Sequence, residues 1–227
     1  MPETKSALIA GVGDGVSASL ARLLAREGYD VALAARNPPK LAALAAETKA
    51  SVHACDVSKV EDVAALFAAL PRDPDVVIYN PSYRTRGPLI ELDPEEVRKT
   101  MEICSFGAFL VAQQAARRML TCGAGTIIFT GASAGVKGFA RSAPFAMGKF
   151  ALRGLAQSMA RELHPQNIHV GHVVIDGGIR SARRLDEPGA DKLLDPDAIA
   201  QSYLHLINQP RSSWSWEIEV RPWTETF

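Results

Sequence analysis

Short apolar runs of strand length alternate along this chain with longer stretches in which apolar residues recur at helical spacing. The runs predict strands at Ser6–Ala10, Asp30–Ala35, 51–55, 75–79, Gly125–Thr130, Ile168–Ile175 and 216–220. Most are continuously apolar, as strands of a parallel sheet covered on both faces are. The segments between them carry one apolar stripe each, such as Val16, Leu20 and Leu23, then Val63, Phe67 and Leu70. Gly28 stands where a helix C-terminal cap is wanted. Alternating strands and helices joined by right-handed crossovers give an α/β fold with one doubly wound parallel sheet of about seven strands. No repeat, low-complexity tract or linker divides the 227 residues, so one domain spanning 1–227 is expected.

The most telling turn follows the first strand. Gly11-Val12-Gly13-Asp14-Gly15 joins it to the helix that opens at Val16. Such a turn lets backbone N–H groups approach an anion, and the helix N-terminus adds roughly half a positive charge where a pyrophosphate sits. Between the first strand and first helix of an alternating chain, it points to a dinucleotide. Glycine also serves any tight turn, so the spacing is suggestive only with its context. At the end of the second strand stands Arg36, with no carboxylate beside it. A carboxylate there would bind a ribose 2′-hydroxyl and repel a 2′-phosphate, whereas arginine binds that phosphate, so NADP is expected over NAD. Asp14 is the one discordant charge.

Composition narrows the partners. Lys+Arg and Asp+Glu both number 25, so no global field draws in nucleic acid or an anionic membrane. No charged-then-apolar leader or membrane-length apolar run is visible, and Cys55, Cys104 and Cys122 form no C-x-x-C pair. Reduced thiols in a cytoplasmic protein are expected, with no metal site. His53 and His172, each inside a strand, are expected to be hydrogen-bonded core residues. Cys104 falls on the stripe Met101, Cys104, Ala108, Val111, Ala115 and reads as a packed core thiol.

Five motifs in order resemble those of the short-chain dehydrogenase/reductase family. Ala10-Gly11 to Ser17 stands for T-G-x-x-x-G-x-G, and Cys55-Asp56-Val57 ends the third strand, where the family uses an Asp for the adenine. Tyr79-Asn80-Pro81-Ser82 stands for N-N-A-G, Phe145 to Lys149 for Y-x-x-x-K, and Asp176-Gly177-Gly178-Ile179 for P-G-x-I. The resemblance implies that Gly11, Gly13, Gly15, Val16, Arg36, Asp56, Val57, Asn80, Pro81, Lys149, Gly177 and Ile179 hold the cofactor. It also implies a catalytic Ser, Tyr, Lys and Asn, of which this chain keeps only Lys149; the others align with Ala132, Phe145 and Cys104.

Reducing a carbonyl puts negative charge on oxygen and needs a proton donor. The expectation is that Ser133 orients a substrate oxygen while Tyr83, or water relayed by Lys149, gives the proton. The plainer reading makes Ser133 a turn former and Tyr83 a loop aromatic. Asp176 is expected to touch the nicotinamide end or to cap a turn. The polar segment 181–194 is expected to form a short substrate lid, with Arg180, Arg183 and Arg184 either attracting an acidic substrate or simply solvated. Trp214, Trp216 and Trp223 crowd the last strand and tail, which predicts a homodimer or homotetramer through that edge, or tryptophans folded back on their own sheet. The chain thus reads as an NADP-dependent oxidoreductase of a small carbonyl or alcohol with a non-standard proton relay. The alternative is a catalytically silent NADP(H)-binding protein.

Overall fold

A computed structural model describes residues 4–181, 184–186 and 190–225. The strands are β1 (Ser6–Ala10), β2 (Asp30–Ala35), β3 (Ser51–Ala54), β4 (Val76–Tyr79), β5 (Gly125–Thr130), β6 (Ile168–Ile175), β7 (Gly178–Ile179), β8 (Leu193–Leu194) and β9 (Glu217–Val220). The helices are α1 (Val16–Arg26), α2 (Ala42–Thr48), α3 (Val60–Ala69), α4 (Pro94–Met101), α5 (Gly107–Cys122), α6 (Ala143–Leu163) and α7 (Pro196–Ile207). Seven strands form one sheet in the order β3-β2-β1-β4-β5-β6-β9, and every pairing in it is parallel. β7 and β8 make a separate two-stranded ladder. The short parallel strands and their helical crossovers match the alternation of the sequence.

The period of two along each strand divides its side chains between two cores. Leu8, Ala10, Val77, Tyr79, Ile127 and Phe129 face α3, α5 and α6. Ala7, Ile9, Val76, Ile78 and Ile128 face α1 and α7. Each fully buried aliphatic or aromatic side chain contributes about 1.5–3 kcal/mol, so both faces are held strongly. Chain order reverses between β1 and β4, and ligands of such sheets bind beyond the strand C-termini at that switch point.

The edges depart from expectation. β3 is an edge strand, so His53 is half-buried and its Nε2 lies 3.0 Å from Ser51 Oγ instead of entering the core. At the other edge, two tryptophans turn inward. Trp214 stacks on His169 with ring centroids 4.7 Å apart, and Trp216 packs against the core beside Arg153. Trp223 alone remains open, at 83% exposure. His172 is fully buried as expected, its Nδ1 2.9 Å from Glu217 Oε2. The stripe through Cys104 is buried from that residue onward, but a π-helical turn over Glu102–Phe106 interrupts the helix where a regular one was expected.

Candidate active site

The glycine turn is fixed from three sides. Gly11 and Val12 donate their N–H groups to Ala34 O on β2 (2.9 and 3.2 Å). Asn80 N, just past β4, donates to Ala10 O at 3.0 Å. The Asn80 side-chain amide donates to Ser17 Oγ (2.7 Å) and Gly11 O (3.3 Å), while the Ser17 hydroxyl donates to Gly11 O (3.1 Å). Ser17, which replaces the family's last glycine, thus ties the start of α1 to both strands at the switch point. Gly11 has φ 77°, and a Cβ there would lie 2.5 Å from Pro81 Cγ, so only glycine fits. The first turn of α1 holds no acidic residue, leaving its N-terminal field unopposed.

A cleft of about 1270 Å³ opens above this turn. Every residue expected to hold the cofactor lines it, from the glycines and Val16 through Asp56, Val57, Asn80 and Pro81 to Lys149, Gly177 and Ile179. Arg36 lines it too, with Lys40, a second cation that the sequence reading missed. No carboxylate among the described residues pairs with either. Burial alone would raise the Asp56 carboxyl. Two hydrogen bonds from Ser58, with Arg36 and Lys59 nearby, outweigh this and hold its pKa below the ordinary value. These groups suit a dinucleotide: backbone N–H groups and a helix dipole at the glycine turn, with two cations near the second strand outside ion-pair distance of any described carboxylate.

At the opposite end, Lys149 is buried, and its Nζ donates to Thr130 O at 2.8 Å. Burial lowers its pKa, since no carboxylate offsets the loss of water. Ser133 begins a short 3₁₀ turn after β5 and also lines the cleft. Ala132, Phe145 and Cys104, the positions where the resemblance expects serine, tyrosine and asparagine, pack together with Ala134 as a small hydrophobic cluster. The three positions that the resemblance singles out are thus brought together in space, as an apolar cluster.

Cys104 is fully buried and bonds within the protein, accepting from Tyr83 N (3.4 Å) and donating to Tyr83 O (3.3 Å). The π-helical turn containing it leaves the carbonyl of Ile103 to accept from Tyr79 Oη at 2.5 Å. Burial raises the Tyr79 phenol well above its ordinary pKa, fixing it as a donor.

Tyr83 is corrected as a proton donor. Its hydroxyl donates to Glu96 Oε2 on α4 at 2.5 Å, Lys99 lies over its ring, and it does not line the cleft. Its neighbour Arg84 takes that place, with Cζ 4.7 Å from the Phe145 ring centroid. Asp176 neither lines the cleft nor caps a turn by a side-chain bond; its carboxylate pairs with Lys137 Nζ (3.5 Å) and Arg221 Nη2 (3.4 Å). At the base of the 181–194 segment, Arg180 pairs with Asp195, Ser181 bridges to Arg184, and Arg180 and Arg184 line the cleft. Arg183 lies outside the described residues.

The sequence and the fold match known proteins. The short chain dehydrogenase family model matches residues 5–187. Carbonyl reductase family member 4 of Xenopus tropicalis is 28% identical over 219 residues, covering 91% of this chain and 92% of that protein. Trans-4-hydroxycyclohexanecarboxylate dehydrogenase of Sinomonas cyclohexanicum is 35% identical over 184 residues, covering 74% and 70%. The crystal structure of a metagenomic short-chain oxidoreductase in complex with NADP superposes with a TM-score of 0.83 at 30% identity, covering 96% of this chain and 97% of that one. The chain belongs to the short-chain dehydrogenase/reductase family of oxidoreductases.

Proposed function

We propose that the chain is an NADP-dependent oxidoreductase acting on a small carbonyl compound or alcohol. The observation that carries this reading is the pair of unpaired cations, Arg36 and Lys40, in a cleft whose other end holds buried Lys149. The NADP-bound metagenomic relative and the carbonyl reductase relative support it from outside the chain.

A bound nicotinamide cofactor supplies or accepts the hydride. Gly11, Gly13, Gly15 and the α1 N-terminus hold the diphosphate, and Arg36 with Lys40 holds the 2′-phosphate. Lys149 has three donors and spends one on Thr130 O, leaving others for a ribose hydroxyl or a water. Its lowered pKa eases release of a proton to that water. Ser133 orients the substrate oxygen, and Phe145 contributes an apolar wall without a proton. The 181–194 segment forms a short lid over the substrate.

The chain acts in the cytoplasm as a homodimer or homotetramer. Supporting assembly are Phe106 and Phe109, stacked and over 40% exposed at the start of α5, and exposed Met147 and Phe150 on α6. These are a better basis than the tryptophans, two of which are turned inward.

The test is to follow NADPH absorbance with a panel of aldehydes, ketones and quinones. Turnover of at least one compound, lost in Lys149→Met, is expected; cofactor binding with no turnover across the panel supports a silent binding protein instead.

A further inference from the structure

The loop after β4 places a guanidinium against the face of Phe145, at the end of the cleft away from Arg36. A planar guanidinium stacked on a ring is held in orientation while the N–H donors along its edge stay available. Among the described residues, no carboxylate lies within ion-pair distance of Arg84 or Arg184, and both line the cleft. Carboxylates near these loops in sequence or fold are engaged elsewhere: Glu96 binds Tyr83, Asp195 binds Arg180, and Asp186, two residues beyond Arg184, accepts from Leu193 N at 2.9 Å.

Like charge gathers at this end. Burial lowers the Arg84 pKa, and the nearby positive charges of Arg86 and Arg184 lower it further, yet a guanidinium stays protonated. The carboxylates that line the cleft, Asp14 and Asp56, sit in the glycine turn and after β3, at the cofactor end. The chain as a whole has no net charge, so this cluster is local and not part of a basic surface. Uncompensated cations beside Ser133, Lys149 and an apolar ring are stabilised when an anion enters between them.

We propose that the substrate carries an oxyanion, a carboxylate or a phosphate monoester, in addition to its carbonyl or hydroxyl group, and that Arg84 with Arg184 binds that oxyanion. This rests on the oxidoreductase reading of the same cleft. Arg84 then determines specificity, and the chain's loss of the family tyrosine coincides with a cation against the ring that replaces it.

The experiment begins by titrating the full chain with NADP⁺ and continues with the NADP⁺-saturated protein. Three ketones of one shape are compared by calorimetry: para-acetylbenzoate, para-acetylphenyl phosphate and the neutral para-methylacetophenone. At least one anion is expected to bind about tenfold tighter than the neutral ketone. Arg84→Gln should bring the three to within about threefold of one another while leaving NADP⁺ affinity unchanged. Which anion wins distinguishes a carboxylate site from a phosphate site. Equal or undetectable binding of all three overturns the inference, as does a preference that survives in the Arg84→Gln/Arg184→Gln double variant. A loss of NADP⁺ affinity in Arg84→Gln also overturns it, because the guanidinium would then serve the cofactor. Failure of the wild-type chain to bind NADP⁺ in the first titration sinks the oxidoreductase reading itself.

Discussion

The side-chain amide of Asn80 donates to the hydroxyl of Ser17 at 2.7 Å, joining the end of β4 to the first turn of α1 across the point where strand order reverses. Both groups also reach Gly11 O, so the glycine turn is held by a closed set of bonds and not by its glycines alone. The turn is thus pre-formed, its shape set by the side chains of Ser17 and Asn80 as well as by its glycines.

Ser17→Ala and Asn80→Ala should each destabilise the fold by about 1–2 kcal/mol, because each removes two hydrogen bonds from a part-buried network. Both should also weaken NADPH binding, and the double variant should lose less than the sum, since the two residues share one network. Chemical denaturation and cofactor titration of the three variants check this.

Removing Arg36 should affect one cofactor only. Arg36→Ala is expected to lower NADPH affinity by roughly tenfold to a hundredfold, the range of a charge-assisted hydrogen bond to phosphate. NADH, which lacks the 2′-phosphate, should bind with little change. Equal losses for both cofactors would place Arg36 outside the phosphate site.

Turnover should divide between Ser133, just after β5, and Lys149 within α6. Ser133→Ala is expected to reduce kcat by roughly tenfold to a hundredfold with little effect on NADPH affinity, as befits a group that meets only the substrate oxygen. Lys149→Met should reduce both, because its ammonium serves cofactor and proton transfer together. Unchanged kcat in Ser133→Ala returns that serine to the role of a turn former.

Acidification should destabilise the chain in two stages. Burial holds the His172 imidazole below its ordinary value of 6.5, although Glu217 pulls the other way. The unfolded chain therefore takes up a proton that the folded one refuses, and stability falls as pH drops below about 6.5. Glu217 resists its own burial through Arg153 and His172, which hold its carboxyl below the ordinary 4.5. Its stabilising contribution is present above that pH and is lost as pH falls through the lowered value. Denaturation between pH 8 and about pH 3 should show both slopes, and Glu217→Gln should flatten the second, roughly below pH 4.5.

How far the sequence carries the reader follows from the range of each interaction. Continuous apolar runs and the Gly11–Gly15 turn depend on neighbours a few residues away, so the sheet, its helices and the cofactor end are legible from the chain alone. The substrate end depends on contacts between distant segments. Tyr83 and Arg84 are adjacent in sequence, yet the first bonds to Glu96 on α4 and the second lies on Phe145 of α6, so the loop does not direct its side chains as a unit. Lys40 reaches the cleft because Pro38–Leu41 folds as a short 3₁₀ turn directly after β2, which no periodicity announces. The coming together of Ala132, Phe145 and Cys104 likewise appears only when β5, α6 and the π-helical turn are assembled. Tryptophan content suggested an open edge, whereas His169 and the core cover two of those rings.

The central claim is that this cleft holds a dinucleotide whose 2′-phosphate meets Arg36 and Lys40. Calorimetric titration of the full chain with NADPH and, separately, NADH tests it most directly. The account predicts saturable binding of NADPH at least about tenfold tighter than NADH. Tighter binding of NADH, or no heat with either, would contradict it.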